Sequence, residues 1–409
     1  MQACITGCGV VSPLGNRLED FDDALFEGVS AVRAEELQLP GAGPSRVPLA
    51  RCNFDESSVA APSKVPLDRG SAMALAAAAA ATQQAAWAVG DTDPERIGLF
   101  WGSGMGGAAS FDATCRGLYA EQRRIRPTSV VTAMPNAPLA ELALRYAVRG
   151  TAMGYACACA SAAVAIGEAL RALRDGRLDM AIVGGSDALL SPGVIGAWQA
   201  MRVLAPLGGP ADGDGRLACR PFAADRAGFA LGEGAAALVL ETEAHARGRG
   251  ARWNLQLSGY ASNCDGLHIT QPDPTGQARA MHAALRDAGL APGDIGHVNA
   301  HGTATTAGDA AEAESLRRVF GSTPPAVTAT KSAMGHLLGA GGAVEFVATL
   351  RALQWRKAPP VAHAAALDAA FEIDLVRGPA RKLPGLNHAL SNSFAFGGTN
   401  AVLIASRID

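Results

Sequence analysis

Two segments of the chain are built almost entirely from small residues at helical spacing. The first is CASAAVAIGEALRAL, which starts at Cys159, and the second is GHLLGAGGAVEFVATLRAL, which starts at Gly335. A helix with so few polar side chains is typical of a buried position, where other elements pack closely against it. We therefore predict helices over 160–173 and 340–355, and we expect both to lie at the centre of the molecule.

Short β-rich apolar runs alternate with helical patterns along the whole chain. Examples of these runs are ACITGCGVVS, RIGLFWGSG, MAIVGGSDAL, AALVLETE, AVTATKSAMG and HALSNSFAFGGTNAVLIA. Further helices are predicted over 72–88 and 277–288, and a surface turn over 209–216. Such alternation indicates an α/β protein with covered sheets. The two small-residue segments, each followed by an extended one, predict two similar halves, residues 1–250 and 251–409.

Composition excludes several broad classes of function. The net charge of the 409-residue chain is -3, so no general attraction to nucleic acid or to an anionic membrane is expected. The most apolar run, ALAAAAAATQQAAWAV, is interrupted by two glutamines and predicts a packed helix rather than a membrane span. The apolar start lacks a basic segment typical of a signal peptide. With eight cysteines and no secretion signal, we expect reduced thiols in the cytoplasm.

Cys157 and Cys159 lie one residue apart, directly before the first small-residue helix. Such a pair could be a metal clip, half of a disulfide, two packed apolar residues, or one nucleophile with a neighbour. A helix N-terminus can activate a thiol. We expect Cys157 on the incoming strand. No histidine is nearby in sequence and no pair of C-x-x-C motifs is present, which argues against zinc.

Two histidines follow predicted strands and lie in glycine-containing segments. His301 lies in NAHGTAT, and His336 lies five residues after Lys331 in KSAMGHLLG. An imidazole after a strand can protrude into a cleft, although a lone histidine is more often a surface or core residue. The segment SNSFAFGGTN, residues 391–400, has a glycine pair that could expose backbone amides to an oxyanion, or simply form a tight hairpin turn.

These stretches together resemble the β-ketoacyl–acyl carrier protein synthases. The resemblance runs from residue 2 to about residue 406, and it is carried by the motifs ACAS (158–161), NAHGT-x-T (299–305), K-S-x-x-GH (331–336), NSF-x-FGGTN (392–400), PFAADRAGFALGEGA (221–235) and ITGCGVVSPLG (5–15). It implies a thiolase-like fold, with two α/β halves in five α-β-α-β-α layers. It also implies decarboxylative Claisen condensation of an acyl thioester with malonyl–acyl carrier protein.

The resemblance implies a role for each catalytic group. Cys159 would be the nucleophile and Cys157 a structural neighbour, with the amides of Cys159 and Phe396 forming the oxyanion hole. His301 and His336 would polarise the malonyl thioester oxygen. Lys331 and Glu345 would set the protonation of the site.

Binding residues are also implied. Thr303, Thr305 and Thr270 would hold the phosphopantetheine arm, which arrives on the carrier protein, so that no free cofactor is required. Met105 would form the floor of the acyl pocket, and Phe394 would line the substrate site. Asp309 and Glu312 would be structural links around the site. Some members of the family hold a monovalent cation at positions that correspond to Asn299, Glu345, Ser391 and Asn392. The acidic carrier protein would dock on the basic side chains Lys64, Arg123, Arg124 and Arg202, for which a solvated surface is the alternative.

Three departures from the family pattern bear on the substrate. Ala395 replaces a glycine beside the gating Phe396, Thr306 replaces a frequent proline, and residues 109–135 are unlike housekeeping synthases. With these departures, two pathways stay open. The first is housekeeping fatty-acid elongation by a homodimer, and the second is a polyketide or polyene pathway in which the chain forms a heterodimer with a chain-length-factor-like subunit.

Three other functions are less consistent with the sequence. A non-catalytic partner subunit would usually lose the nucleophile. A thiolase would need a second catalytic cysteine, and none follows Cys264. The support for a nucleotide-binding dehydrogenase is a single glycine turn, and the acidic residue that would bind a ribose is not found downstream of it.

Overall fold

The computed structural model describes residues 2–39, 43–207, 213–363 and 365–408, so residues 209–212 of the predicted surface turn lie outside it. The strands are β1 (Ala3–Val11), β2 (Arg33–Leu39), β3 (Gly43–Ala50), β4 (Ile97–Gly102), β5 (Ala152–Tyr155), β6 (Met180–Asp187), β7 (Leu231–Gly232), β8 (Gly234–Glu241), β9 (Leu255–Cys264), β10 (His297–Asn299), β11 (Ala326–Thr328), β12 (Lys357–Ala358), β13 (Asp374–Leu375), β14 (Arg381–Lys382), β15 (His388–Phe394) and β16 (Thr399–Arg407). The helices are α1 (Leu18–Glu27), α2 (Arg69–Gln84), α3 (Ala108–Tyr119), α4 (Ser129–Ala133), α5 (Ala137–Tyr146), α6 (Ser161–Arg174), α7 (Pro192–Ala200), α8 (Glu243–Gly248), α9 (Pro274–Ala288), α10 (Thr306–Phe320), α11 (Lys331–Met334) and α12 (Gly341–Trp355).

The main sheet consists of two half-sheets with the same design. In the first, the order is β5-β4-β6-β8-β1, and in the second it is β11-β10-β15-β16-β9, with β13 added at the edge. In each half the first three strands run parallel, and the last two are antiparallel to their neighbours. The halves join where β1 meets β9, at Ala3–Leu257 and Cys4–Gln256. The repeated order confirms the two similar halves.

The helices complete five layers. Helices α2 and α5 cover the outer face of the first half-sheet, and α9 and α10 cover that of the second, where α10 shares a hydrophobic cluster with β10 and β11. Helices α6 and α12 lie between the half-sheets and contact strands of both. This is the predicted α-β-α-β-α arrangement. The predicted divide after residue 250 falls between α8 and β9 and stays a prediction.

The central layer explains why its helices are made of small residues. Both α6 and α12 are almost completely buried, and they pack directly on one another. A Cβ atom added to Gly342 would lie 2.8 Å from the backbone nitrogen of Ala163, so a larger residue there would push the helices apart. Close approach therefore brings the N-terminal ends of the two helices together.

Two local predictions were wrong. The run AVTATKSAMG is extended only over Ala326–Thr328, because the backbone then turns into α11 and carries Lys331 into the interior. Cys157 does not lie on the incoming strand, since β5 ends at Tyr155 and Ala158 takes a left-handed φ of 48°. Within the described residues, no helix is long and apolar enough to span a membrane.

Candidate active site

A cavity of about 330 Å³ opens where the N-terminal ends of α6 and α12 meet. Cys159, His301 and His336 lie together in its wall, with one sulfur or nitrogen atom of each residue within 4.8 Å of the others. The cavity has an apolar side formed by Trp198, Met201, Val203, Phe229 and Phe394. Its polar lining includes Asp265, Thr270, Gln277, Thr303, Thr305, Glu312 and Asn400.

Cys159 occupies a short 3₁₀ turn, Ala158–Ala160, that leads directly into α6. Ser161 fixes this turn: its hydroxyl accepts a hydrogen bond from the Cys157 N–H at 2.8 Å and donates one to the Ala158 carbonyl at 2.7 Å. The Cys159 side chain is buried against the cavity. Cys157 is half-buried, packs against the main hydrophobic core and does not line the cavity. The two cysteines therefore have different environments.

His336 contacts the thiol directly. Its Nε2 lies 3.0 Å from Cys159 Sγ, and its Nδ1 accepts a hydrogen bond from the Leu338 N–H at 3.3 Å. Because Nδ1 is an acceptor, the hydrogen of the neutral ring is on Nε2, facing the sulfur. The ring of Phe229 packs edge-on at 5.1 Å between centroids and excludes water from this side.

His301 follows β10 and is held from both sides. Its backbone N–H donates to Glu312 Oε1 at 2.8 Å, and Lys331 Nζ lies 2.6 Å from its carbonyl oxygen and 3.3 Å from Nδ1. The ammonium donates to Nδ1, which places the ring hydrogen on Nε2 here also. The His301 and His336 rings meet at 5.5 Å between centroids, nearly perpendicular.

Burial and the nearby Lys331 charge hold the pKa values of both histidines well below the ordinary value of 6.5. Both rings are therefore neutral at physiological pH. A thiol and two imidazoles are also zinc ligands, but the ammonium 3.3 Å from His301 Nδ1 disfavours a second cation beside it. The arrangement offers two neutral hydrogen-bond donors to whatever occupies the cavity.

Lys331 is completely buried and is paired with Glu345 of α12. Its Nζ donates to Glu345 Oε1 at 2.5 Å, and neither side chain is more than 3% exposed. Burial raises the pKa of Glu345 to about 7, although the Lys331 charge acts in the opposite direction. Such a pair is expensive to desolvate, so it is weak evidence for stability and stronger evidence for a functional arrangement.

The environment of the Cys159 thiol differs from the expectation drawn from its helix N-terminus. Burial raises its pKa to about 12, while the charge of Lys331 and a hydrogen bond from the Phe396 backbone amide lower it. The resting group is therefore a neutral thiol, and the Phe396 amide lies at its sulfur as an oxyanion donor would.

Phe396 lies in the turn that connects β15 to β16, so the glycine-rich segment is indeed a hairpin turn that also reaches the nucleophile. Its ring stacks on Trp198 at 6.2 Å. Gly397 and Gly398 have φ values of 85° and 80°, a region that favours glycine, whereas Ala395 does not have a positive φ. The alanine at 395 therefore causes no backbone strain.

The predicted binding residues divide into two sets. Thr303, Thr305, Thr270 and Phe394 line the cavity. Met105 does not: its side chain is 44% exposed, because its loop is fixed from the other side by the buried carboxylate of Asp187. The predicted docking residues Lys64, Arg123, Arg124 and Arg202 are exposed, and Arg202 directly follows the cavity residue Met201.

Buried polar groups behind the histidines form a second layer. The Glu312 carboxylate also accepts from the Gly302 N–H and from Asn392 Nδ2, and Asp309 accepts from the Phe222 and Ala304 N–H groups. The side-chain oxygens of Asn299 and Asn392 are buried and have no hydrogen-bond partner among the residues that the structure describes. Asn299 is paired with Ser391 across β10 and β15. Two unpartnered oxygens beside a carboxylate fit a monovalent cation.

Some site residues were missed from the sequence. Trp198 and Phe229 form the apolar side of the cavity, Gln277 its polar side, and Asp187 links the Ser103–Gly104 turn to Gly339 near His336. Asp187 could have been identified from the sequence, because a carboxylate at the end of an apolar strand is buried and needs hydrogen-bond partners. The others depend on tertiary contacts that no local pattern records.

Comparison with known proteins agrees with this geometry. Residues 2–246 match the β-ketoacyl synthase N-terminal domain, and residues 255–365 match the β-ketoacyl synthase C-terminal domain. The chain belongs to the β-ketoacyl synthase family. As a member of this family it is an acyltransferase, which confirms the family and the class of enzyme predicted from the motifs.

Individual relatives cover nearly the full length of this β-ketoacyl synthase. The 3-oxoacyl-[acyl-carrier-protein] synthase 2 of Staphylococcus aureus (strain N315) is 34% identical over 413 residues, covering 99% of this chain and 98% of the relative. The ishigamide ketosynthase/chain length factor superposes with a TM-score of 0.90 at 28% identity, covering 100% of this chain and 99% of that one. A ketosynthase from a complex with its type II polyketide acyl-carrier protein superposes with a TM-score of 0.88 at 26% identity. The match covers 100% of this chain and 99% of that one. These structures confirm the predicted fold.

Proposed function

We propose that this synthase elongates a carrier-bound acyl chain by decarboxylative Claisen condensation, with Cys159 as the nucleophile and His301 and His336 as neutral hydrogen-bond donors. The observation that carries the proposal is the 3.0 Å contact between His336 Nε2 and Cys159 Sγ in a cavity that His301 shares. Neither a packed core cysteine nor a surface histidine would need this arrangement.

In the first half-reaction, the Cys159 sulfur attacks the carbonyl carbon of an acyl thioester. The S–C bond to the carrier's pantetheine breaks, the thiol proton passes to the departing sulfur, and the acyl group remains on Cys159. The negative charge on the carbonyl oxygen is held by the backbone amides of Cys159 and Phe396. The amide of Phe396 already contacts the Cys159 sulfur, so little rearrangement is required.

In the second half-reaction, a malonyl thioester occupies the site that the first carrier leaves. Its carboxylate departs as carbon dioxide, and the electron pair of the broken C–C bond forms an enolate. The enolate oxygen accepts hydrogen bonds from Nε2 of His301 and Nε2 of His336, both of which carry the ring hydrogen. The nucleophilic carbon then attacks the acyl-cysteine carbonyl, the C–S bond to Cys159 breaks, and the departing thiolate takes up one proton from the solvent.

Lys331, Glu345 and Glu312 act through the histidines. The Lys331 ammonium holds the hydrogen of His301 on Nε2 and keeps both rings neutral. Glu345 compensates the lysine charge, and Glu312 fixes the backbone of His301 and Gly302. We assign all three as positioning residues.

The substrate arm and the carrier protein have separate contact areas. Thr303, Thr305 and Thr270 line the cavity and suit the pantetheine arm, which belongs to the substrate, so no free cofactor takes part. We assign the exposed basic residues Lys64, Arg123, Arg124 and Arg202 to docking of the acidic carrier protein in the cytoplasm.

A monovalent cation would be held by the side-chain oxygens of Asn299 and Asn392, with Glu345 and Ser391. The support is that both amide oxygens are buried and lack a hydrogen-bond partner within the described ranges of the chain. The cation would supply charge that fixes these strands behind His301, and it takes no part in the bond changes. Measuring thermal stability in sodium, potassium and tetramethylammonium chloride tests this assignment, because only a size-selective increase supports it.

A second subunit is expected over the edge strand β5. Large apolar side chains on this face are exposed by 43% to 80%, namely Met105, Phe111, Tyr119, Ile125, Val130, Val131, Met134, Leu144 and Met153. An open strand edge with so much exposed apolar surface is typical of an interface. The same region holds the divergent residues 109–135, which favours the specialised pathway and a heterodimer as a second candidate.

The test is direct reconstitution. Purified protein is incubated with acyl- and malonyl-carrier proteins, alone and with candidate partner subunits, and the products are identified by mass spectrometry. A 3-oxoacyl–carrier protein is the expected product. A folded protein that yields none with any partner would contradict the proposed function. A product that forms only when a related subunit is present would show that the active form is a heterodimer.

A further inference from the structure

Gln277 lines the cavity that contains Cys159, yet it belongs to none of the family motifs found in the sequence. It lies in the first turn of α9, and its side chain is 1% exposed. Its carbonyl oxygen, Oε1, is buried and has no hydrogen-bond partner in the described part of the chain. A buried acceptor without a donor is unfavourable, so such a group in a substrate cavity indicates that a ligand supplies the donor.

The other polar side chains around it are already partnered. Asn400 Nδ2 donates to Asp265 Oδ1 at 2.6 Å, Asp265 Oδ2 accepts from the Asp273 N–H, and Glu312 accepts three hydrogen bonds. Thr303 and Thr305 bond to one another at 2.9 Å. Among the cavity-lining side chains that the structure describes, Gln277 alone has a fully buried polar atom without a partner.

The chemistry of the substrates narrows the choice of donor. A saturated acyl chain has no hydrogen-bond donor, and malonyl and 3-oxoacyl groups offer only acceptor oxygens. The pantetheine arm carries two amide N–H groups between its sulfur and its hydroxyl group, and the amides are the donors nearer to the thioester. It is therefore the part of the substrate that can satisfy an acceptor in the same cavity as Cys159.

We propose that Gln277 is a further substrate-binding residue, whose Oε1 accepts a hydrogen bond from an amide N–H of the pantetheine arm. This inference rests on the proposed function. Gln277 and the threonines would then fix the arm from α9 and from the β10–α10 loop. Two fixed points restrict how far the thioester can slide relative to Cys159.

The lining of the cavity favours a contact between Gln277 and the pantetheine arm rather than between Gln277 and the acyl chain. Gln277 lines the same cavity as Thr270, which is assigned to the arm, and as Ile269, which is 72% exposed. The predicted acyl-pocket residue Met105 belongs to the other half of the molecule and is not part of this cavity. An arm that reaches Cys159 through this cavity therefore passes the lining to which Gln277 belongs.

The test replaces one atom of the substrate. Acyl-pantetheine thioesters are prepared with each amide N–H in turn changed to an ester oxygen, and transfer of the acyl group to Cys159 is followed by mass spectrometry. With the parent protein, one of the two replacements should lower the rate constant kcat/KM about tenfold, as expected for one hydrogen bond. With Gln277→Met that difference should disappear, whereas Gln277→Glu, which keeps an acceptor oxygen, should preserve it.

Gln271→Met is the matched control, because Gln271 lines the same cavity but is exposed, and it should keep the parent ratio. The inference is overturned if the parent does not distinguish amide from ester, or if Gln277→Met keeps the distinction. It is also overturned if Gln277→Met instead changes the preference between acyl chains with and without a hydroxyl group. Failure of every thioester to acylate the parent Cys159 would contradict the proposed function itself, which separates the two failures.

Discussion

The two halves of the molecule share a strand order but contribute different chemistry. In the first half, the central helix α6 follows a tight turn and presents a single thiol, and the residues around it are small. In the second half, α12 follows a loop that carries His336, and the neighbouring strand end carries His301. The first half supplies the covalent attachment point, and the second supplies the donors and the buried charges.

This difference has a structural cause. The seam between α6 and α12 is closed by Gly342 against Ala163, so side chains there must be small, and polar groups can enter only from the loops before the two helices. Lys331 and Glu345 are the exception, and they neutralise one another. We therefore expect loss of the Cys159 thiol to stop acyl transfer, and loss of the His301 or His336 imidazole to slow decarboxylation.

The largest expected effect comes from removing the nucleophile. Cys159→Ala should abolish acylation of the protein by acyl–carrier protein, with a loss on the order of 10⁴-fold or more in condensation. Intact-protein mass spectrometry detects the acyl adduct. Cys157→Ala is the matched control and should remain acylated and active, since Cys157 does not line the cavity. Loss of the adduct in Cys157→Ala alone would reverse the assignment.

Removing one member of the buried ion pair should lower stability in addition to disturbing the hydrogen-bonding state of His301. Lys331→Met leaves the Glu345 carboxylate buried without its partner, which should lower the free energy of unfolding by about 3–5 kcal/mol. The pKa of Glu345 is already raised to about 7 and should rise further, so the carboxyl is neutral at low pH. The destabilisation should therefore be larger at pH 8.5 than at pH 5.5.

Denaturant unfolding at the two pH values measures this effect. The double variant Lys331→Met/Glu345→Gln is the control, because it removes both charges and should recover part of the lost stability. An equal loss at both pH values would contradict the account of the pair.

The pH dependence of thiol reactivity sharpens the comparison between the halves. Because burial raises the pKa of Cys159 to about 12, its thiolate fraction should increase about tenfold per pH unit between pH 6 and pH 9. Alkylation of the Cys159 peptide by iodoacetamide, followed by mass spectrometry, measures this slope. A plateau below pH 8 would mean that the helix N-terminus and Lys331 outweigh burial.

The smallest expected effect is at the gating turn. Ala395→Gly should change the free energy of unfolding by about 1 kcal/mol or less, because Ala395 does not have a positive φ and glycine only adds freedom to the unfolded chain. Thermal unfolding and the condensation rate measure the two consequences. A large gain in stability would show that Ala395 is strained after all.

Local patterns in the sequence predicted two similar halves with small-residue helices at the centre, whereas the five layers and the grouping of Cys159, His301 and His336 were implied by the family resemblance. Small-residue helices mark the central layer, and the motifs around Cys159, His301 and His336 lie at element ends that the fold brings together. Sequence reasoning missed residues whose place in the site depends on distant partners. Trp198 and Gln277 line the cavity through contacts that neither residue's neighbours in sequence reveal.

The division of labour between the halves is tested most directly by measuring the two half-reactions separately in His336→Ala and His301→Ala. Acyl transfer is followed as the mass of acyl-Cys159, and decarboxylation as carbon dioxide released from carboxyl-labelled malonyl–carrier protein. We predict that both variants still form acyl-Cys159, while carbon dioxide release falls on the order of 10²–10³-fold, the usual effect of losing one oxyanion donor. If either variant released carbon dioxide at the parent rate but could not be acylated, that histidine would serve the thiol, and the account would be contradicted.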